Sequence, residues 1–275
     1  MSSSRSEQPI RVFSYGGGVQ SNAVLVLQAT GRLPEPYDVF VFANVGADSE
    51  NPATLRYIED VARPYAAQHG IEFVEVQKTR YGEPETLLDF MHRTERSIPI
   101  PLRGGGNGAP GRRACTNDFK IEAIDRWLRE QGHTRAVMGL GISLDEYHRA
   151  RDMQPYTQHG VEKRREYPLI QLRLRRMDCQ RVIAEAGLSV APKSSCWFCP
   201  FHRHGEWTEM RRTEPALFQQ AVELERMLNG KRELVGKDML FMHRALVPLD
   251  QAVGDQLPMF TDDEMAVCES GYCMV

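Results

Sequence analysis

Residues 10–22 read IRVFSYGGGVQSN: a β-branched and aromatic run, three consecutive glycines, and a serine that opens an apolar segment. The run 10–15 predicts a strand and SNAVLVLQATG at 21–31 predicts a helix ended by Gly31, so the glycines form the turn of a strand–turn–helix unit. In an open parallel sheet, that turn lies at the carboxyl edge where ligands bind. Three residues without Cβ let backbone N–H groups turn toward an anion, and the helix N-terminus adds unsatisfied donors. The alternative reading of Gly16, Gly17 and Gly18 is a sharp turn and nothing more. The stretch is neither G-x-x-x-x-G-K-[ST] nor G-x-G-x-x-G, because the lysine and the glycine spacing are absent.

Outward from this unit the first half of the chain alternates. YDVFVFANVG (37–46) predicts a second strand, and a helix follows with Asn51 as its cap and Pro52 at its first position, kinked or split by Pro64. IEFVEV (71–76) predicts a third strand, NDFKIEAIDRWLREQG (117–132) a helix, and RAVMGLG (135–141) another strand. Such alternation implies an α/β fold with a doubly wound parallel sheet, covered by helices on both faces. SIPIPLRGGGNGAPGRR (97–113) interrupts it, and reads either as a disordered insertion or as a lid. Past residue 150 come the apolar YPLIQL (167–172), a helix around 177–187, a cysteine loop, and helices near 204–212 and 214–229.

The 275 residues are 41% hydrophobic and 26% charged, enough to bury a full core. A formal net charge of −3 excludes a global nucleic-acid footprint, so any anion must meet a local cluster: Arg112-Arg113, Lys163-Arg164-Arg165 or Arg173 to Arg176. Each cluster reads equally as a solvated face. The polar start MSSSRSEQP has no signal-peptide core, and no stretch approaches the roughly 18 apolar residues of a membrane span. A cytoplasmic location with no membrane partner is expected. There, six cysteines point to metal or thiol chemistry rather than to disulfides.

Four segments in order carry a family resemblance: GGGVQS (16–21), FANVGADSENPATLRYIEDV (42–61), CTNDFKIEAI (115–124) and GLGISLDEYHRAR (139–151). The first is similar to the pyrophosphate loop (PP-loop) of the adenine nucleotide α-hydrolase-like superfamily. Together, over roughly residues 10–200, they resemble the phosphoadenylyl-sulfate (PAPS) reductase family. The resemblance implies a Rossmann-like nucleotide-binding domain over 10–200, after a disordered 1–9 and before a helical extension over 201–275 with a cysteine-bearing tail. It also implies an adenine nucleotide, either ATP or adenylyl or phosphoadenylyl sulfate. The phosphates would sit on Gly16, Gly17, Gly18, Gln20 and Ser21 beside Ser14, with the adenine or ribose near Asn44 and Gly46. Lys120, Gly139, Glu146, Arg149 and Arg151 would surround them. Gly16 replaces the loop's leading serine, and Gln20 stands where many ATP-cleaving relatives hold magnesium with an aspartate; Asp48 or Glu50 is the other candidate carboxylate for Mg.

SSCWFCPFHRH places Cys196 and Cys199 in a C-x-x-C loop, which suits zinc or an iron–sulfur cluster, or else two small buried side chains. The resemblance adds Cys115, one thiolate short of a full set. Cys268, Cys273 and His202 are candidates for the fourth ligand, an open iron position is the other option, and Cys179 reads as core. Reductases of the family attack activated sulfate with a tail cysteine, a role that would fall to Cys273 or Cys268, served by a thiol reductant or sulfur-donor protein. Reduction of adenylyl or phosphoadenylyl sulfate is therefore expected. ATP-dependent thiolation of a nucleic acid or small acceptor is the first alternative, and a non-catalytic nucleotide-binding module with structural zinc is the second.

Overall fold

In the computed structural model, which describes residues 8–95, 97–104 and 108–254, the stretch 10–15 is the central strand of a sheet. Among the described residues the strands in chain order are β1 (Ile10–Tyr15), β2 (Val39–Asn44), β3 (Glu72–Gln77), β4 (Thr79–Arg80), β5 (Glu83–Pro84), β6 (Arg135–Leu140), β7 (Tyr156–Gln158) and β8 (Val161–Glu166). β4 and β5 form a separate hairpin, and the other six make one sheet in the order β3-β2-β1-β6-β8-β7. All of its pairs are parallel except β7 with β8. The helices are α1 (Val19–Ala29), α2 (Pro52–Tyr57), α3 (Arg63–Gln68), α4 (Leu87–Arg93), α5 (Glu122–Glu130), α6 (Pro168–Gln171), α7 (Arg176–Glu185), α8 (His204–Thr213), α9 (Pro215–Glu233) and α10 (Leu249–Ala252). No described helix is long and apolar enough to cross a membrane.

Period-two alternation decides which side chains face which layer. Val12, Val39, Val41, Ala43, Val76, Ala136 and Met138 pack with Ala123, Ile124 and Leu128 of α5 on one face. Phe13, Tyr15, Phe40 and Phe42 pack on the other with Val24 and Leu27 of α1 and Val182 and Ile183 of α7. The sheet is thus covered on both sides, and the fold is α/β, doubly wound and Rossmann-like. Strand order reverses between β1 and β6, which makes the carboxyl ends of those two strands the switch-point crevice.

Local departures have local causes. α1 begins at Val19, two residues before the predicted start, because Gly18 takes the extended conformation of an N-cap at φ −95° and ψ −178°. Asn51 caps α2, its side-chain oxygen accepting the Ala53 N–H at 2.8 Å. The helix passes through a π-helical turn at Ile58–Ala62 before α3, so Pro64 falls in the first turn of the resumed α-helix, where its missing N–H leaves no intrahelical bond unmade. The predicted helix 117–132 is a π-helical turn, Thr116–Ile121, followed by α5.

One charged run is not what its composition predicts. Lys163-Arg164-Arg165 lies within β8, beside β6 in the sheet, with Lys163 buried and Arg164 exposed. Lys163 is only 2% exposed, and its Nζ donates to both Asp125 oxygens at 2.8 and 2.7 Å. Burial pushes the Lys163 ammonium below the ordinary lysine range, and the bonds to Asp125 draw it back up. Arg165 lies 3.7 Å over the Tyr156 ring, and Arg164 donates to Glu166 at 2.9 Å.

The described chain divides into two units: the sheet and its helices, from residues up to Thr86 and Thr116–Ser195, and a helical unit from Leu87–Cys115 and the described residues from Cys196 onward. The second unit is discontinuous, so it takes up the proline- and glycine-rich segment. Ile100 and Leu102 are buried there, and the Arg103 N–H donates to the Phe241 carbonyl at 2.8 Å. Lys231 on α9 donates to the Met91 and Thr94 carbonyls at 3.0 and 3.1 Å, capping the end of α4. The buried Glu225 carboxylate accepts the N–H groups of Met242 and Leu249 at 2.6 and 2.7 Å.

A histidine pair in this unit predicts acid sensitivity. The Ala245 N–H donates to His243 Nδ1 at 3.1 Å, so His243 carries its proton on Nε2 and donates to His204 Nδ1 at 3.2 Å. Burial, with His204, Arg244 and Arg103 nearby, pushes the His243 imidazole down to about 4 from an ordinary 6.5. A folded pKa below the unfolded one leaves stability intact above about 6.5 and loses it as pH falls toward 4, by on the order of 3 kcal/mol. Urea unfolding from pH 7 to 4 should show this loss in the wild type and a flatter profile in His243→Asn. Parallel profiles would refute the assignment.

Candidate anion site at the switch point

The glycine loop is held from inside. Tyr15 Oη donates to Asn22 Oδ1 at 2.7 Å, and Asn22 Nδ2 donates to the carbonyls of Gly18 and Gly17 at 2.9 and 3.3 Å. Ser21 Oγ also donates to the Gly18 carbonyl, at 2.9 Å. The loop carbonyls are thereby tied down, while the first-turn N–H groups of α1 have no intrahelical acceptor and no side-chain cap. That is the donor array and dipole end an anion needs.

Two of the glycines are also required by close approach. Gly17 has φ +75°, and a Cβ there would lie 2.6 Å from Thr54 Cγ2 on α2. A Cβ on Gly18 would lie 2.9 Å from Ser194 Oγ. Gly141, just past β6, places its Cβ position 3.5 Å from Ser21 N and Gln20 Cβ, so the backbone after β6 forms the facing wall of the crevice.

Charged groups ring the mouth. Gln20 Nε2 donates to Glu146 Oε2 at 3.1 Å, Arg149 Nη1 donates to Glu146 Oε1 at 2.6 Å, and Arg176 Nη1 donates to Gln20 Oε1 at 3.1 Å. Gln20 is thus brought to the pair Glu146 and Arg149, far from it in sequence, and Arg176 at the start of α7 joins them. Lys120 Nζ stands 3.7 Å from Glu50 Oε2. Glu50 is 1% exposed, and among the described residues neither of its carboxylate oxygens has a hydrogen-bond partner, nor has the buried Ser143 Oγ or Arg149 Nε.

The other expected residues have local partners of their own. Asn44 accepts the Gly46 N–H at 2.8 Å and donates to Glu75 at 2.8 Å, so it shapes the turn after β2, where Gly46 adopts φ +120°. Ser14 is buried in β1, on the α5 side by alternation. Gly139 lies inside β6, where a Cβ would come 2.4 Å from the Tyr37 ring, and so is a packing glycine. Arg151 is exposed, and its backbone exchanges bonds with Tyr167 Oη.

Cys115, Cys196 and Cys199 are half-buried in the helical unit, and none of the described cysteines is in a disulfide. Among the described residues no three His, Cys, Asp or Glu side chains gather into a group able to hold a metal ion. His202 is an unfavourable fourth ligand, because its Nε2 bonds to the Cys196 carbonyl at 3.0 Å and its Nδ1 faces Glu206 at 3.6 Å. Cys179 is fully buried in the core, and burial raises its thiol to about 12. Cys268 and Cys273 lie outside the described residues.

The fold defines the class: a doubly wound, Rossmann-like α/β protein with a glycine loop at its switch point. No known family profile and no curated protein matches the chain. Among solved structures it is similar to the U34-tRNA thiolase NcsA from Methanococcus maripaludis with its 4Fe-4S cluster, at 14% identity over 80% of this chain and 72% of that one, with a TM-score of 0.41. A likeness this loose carries no functional argument.

Proposed function

We propose that this protein is an enzyme of sulfur chemistry that binds an adenine nucleotide through its phosphates on the loop Gly16–Ser21, in the manner of PP-loop proteins of the PAPS reductase family. The observation that carries the reading is the loop itself, with carbonyls tied back by Asn22 and Ser21 and helix N–H groups uncapped at the switch point. Arg149 and Lys120 supply positive charge to offset the phosphates. With adenylyl or phosphoadenylyl sulfate, a thiolate of Cys273 or Cys268 attacks the sulfate sulfur, the bond from sulfur to the nucleotide's phosphate oxygen breaks, and the nucleotide leaves. A thiol of a reductant protein then attacks the cysteine sulfur of the resulting thiosulfonate, releasing sulfite and leaving a disulfide.

A second reading, ATP-dependent adenylylation and thiolation of an acceptor, is favoured by Glu50. A buried carboxylate without hydrogen-bond donors is costly unless a ligand or cation completes it. Its chemistry fits Mg²⁺, which binds through one or two carboxylates together with substrate phosphates. Glu50 would hold such an ion, and the ion would neutralise the phosphate chain.

Equilibrium binding of ATP, adenylyl sulfate and phosphoadenylyl sulfate, with and without Mg²⁺, tests both. Ser21→Ala and Lys120→Ala should each weaken binding about tenfold or more, as expected for hydrogen bonds to charged groups. Preference for a sulfated nucleotide, with sulfite release lost in Cys273→Ser or Cys268→Ser, selects the reductase. Preference for ATP with Mg²⁺, the metal dependence lost in Glu50→Gln, selects the second reading. Absence of binding at millimolar nucleotide overturns both.

A further inference from the structure

The segment before the C-x-x-C loop lies against the glycine loop, although nothing in its composition marks it as part of a binding site. Three bonds to the α2 region hold it: Tyr57 Oη donates to the Ser189 carbonyl at 2.9 Å, Thr54 Oγ1 to the Lys193 carbonyl at 3.4 Å, and the Asn51 N–H to the Ser195 carbonyl at 3.2 Å. Because Thr54 is also the residue a Cβ on Gly17 would strike, one surface of α2 supports both the loop and this strap.

What the strap presents is polar and unused. Ser194 Oγ lies 2.9 Å and Ser194 N 3.7 Å from the Cβ position of Gly18, and Ser194 is only half-buried. Among the described residues neither that hydroxyl nor that N–H has a hydrogen-bond partner. Ser195 is 8% exposed, and its Oγ is buried without a partner. A buried hydroxyl left unpaired costs about 1–3 kcal/mol, so Ser195 Oγ, next in the chain to the residue that faces Gly18, is a donor in want of an acceptor.

We propose that Ser194 and Ser195 form a second wall of the anion site, donating their hydroxyls to the phosphate chain that the glycine loop holds. This rests on the nucleotide reading and adds to it two binding residues that lie outside the PP-loop. The phosphate chain is gripped from two sides, by helix and loop N–H groups on one and by hydroxyls on the other.

Titration of the full chain with ATP, repeated with inorganic pyrophosphate as competitor, provides the test. Ser194→Ala and Ser195→Ala should each weaken ATP binding about tenfold, and the double variant should lose more, with competition by pyrophosphate weakened in parallel. Ser189→Ala, whose side chain is exposed and whose carbonyl makes the contact, should bind as the wild type does. Proximity has its own readout: Gly18→Ala should destabilise the wild type more than it destabilises Ser194→Ala, because the clash at 2.9 Å is with the hydroxyl. Double-variant affinity within twofold of wild type would overturn the second wall and leave the nucleotide reading standing. An equal loss in Ser189→Ala would reduce the effect to strap folding and also overturn it, while a wild type that binds neither ligand would remove both proposals.

Discussion

Asp125→Ala is expected to cost the sheet unit about 3–5 kcal/mol, the range for breaking a buried ion pair from one side. The Asp125 side chain is 1% exposed and sits on α5 beneath β8. It accepts two hydrogen bonds from Lys163 Nζ and a third contact from His159 Nδ1 at 2.9 Å. Removing it leaves an ammonium in a site only 2% exposed, with Gln158 Oε1 at 3.3 Å as its remaining side-chain acceptor. Such a lysine must either stay charged without compensation or release its proton, and both routes favour the unfolded chain. Urea unfolding at pH 7 measures the effect. A second substitution, Lys163→Met, should restore much of the loss, because apolar groups of similar volume replace buried ion pairs with little penalty. A loss below about 1 kcal/mol in Asp125→Ala would mean that the pair does not hold β8 to α5.

Asn22→Ala carries the second largest expectation, and it joins stability to the proposed site. Asn22 is 1% exposed and links Tyr15 Oη to the carbonyls of Gly17 and Gly18. Alanine strands a buried tyrosine hydroxyl and releases the Gly17 carbonyl, while the Gly18 carbonyl keeps Ser21 Oγ and the backbone N–H of residue 22, at a cost on the order of 3 kcal/mol. A Gly17 carbonyl no longer tied back is free to turn toward the crevice, where it repels phosphate, so ATP affinity should fall about tenfold while the fold persists. Calorimetry of melting and of ATP binding on the same variant separates the two effects. Unchanged affinity in a destabilised variant would show that Asn22 supports the strand and not the anion site.

Much of this was legible in the chain. The pattern of IRVFSY predicts a strand that is apolar on both faces, and such strands belong to parallel sheets covered on both sides. The glycine triplet marks the turn, and Asn51-Pro52 marks the start of a helix. Less visible was Asn22, a buried amide within SNAVLVLQATG; a polar residue inside an apolar helical run is the one signal that pointed to it. β8 was hidden by its composition. VEKRRE carries five ionisable side chains in six residues, and only the partner on α5 makes its burial tolerable. Arg176, Gly141, Ser194 and Ser195 lie in stretches that stood out for other reasons, a basic cluster, the segment 139–151 and the start of SSCWFCPFHRH, and only the tertiary structure sets Arg176 against Gln20, Gly141 against Ser21 and Ser194 against Gly18.

By itself the sequence determined the layer order and the location of the glycine turn, because hydrophobic period and turn chemistry are local properties that neighbouring residues set among themselves. Tertiary structure alone decided which charges are buried in pairs and which ring the crevice, and that residues 87–115 build a unit with the described residues from Cys196 onward. Those outcomes depend on partners far apart in the chain, such as Arg176 with Gln20 or Lys163 with Asp125, and whether a charge can be buried is settled by the group it meets.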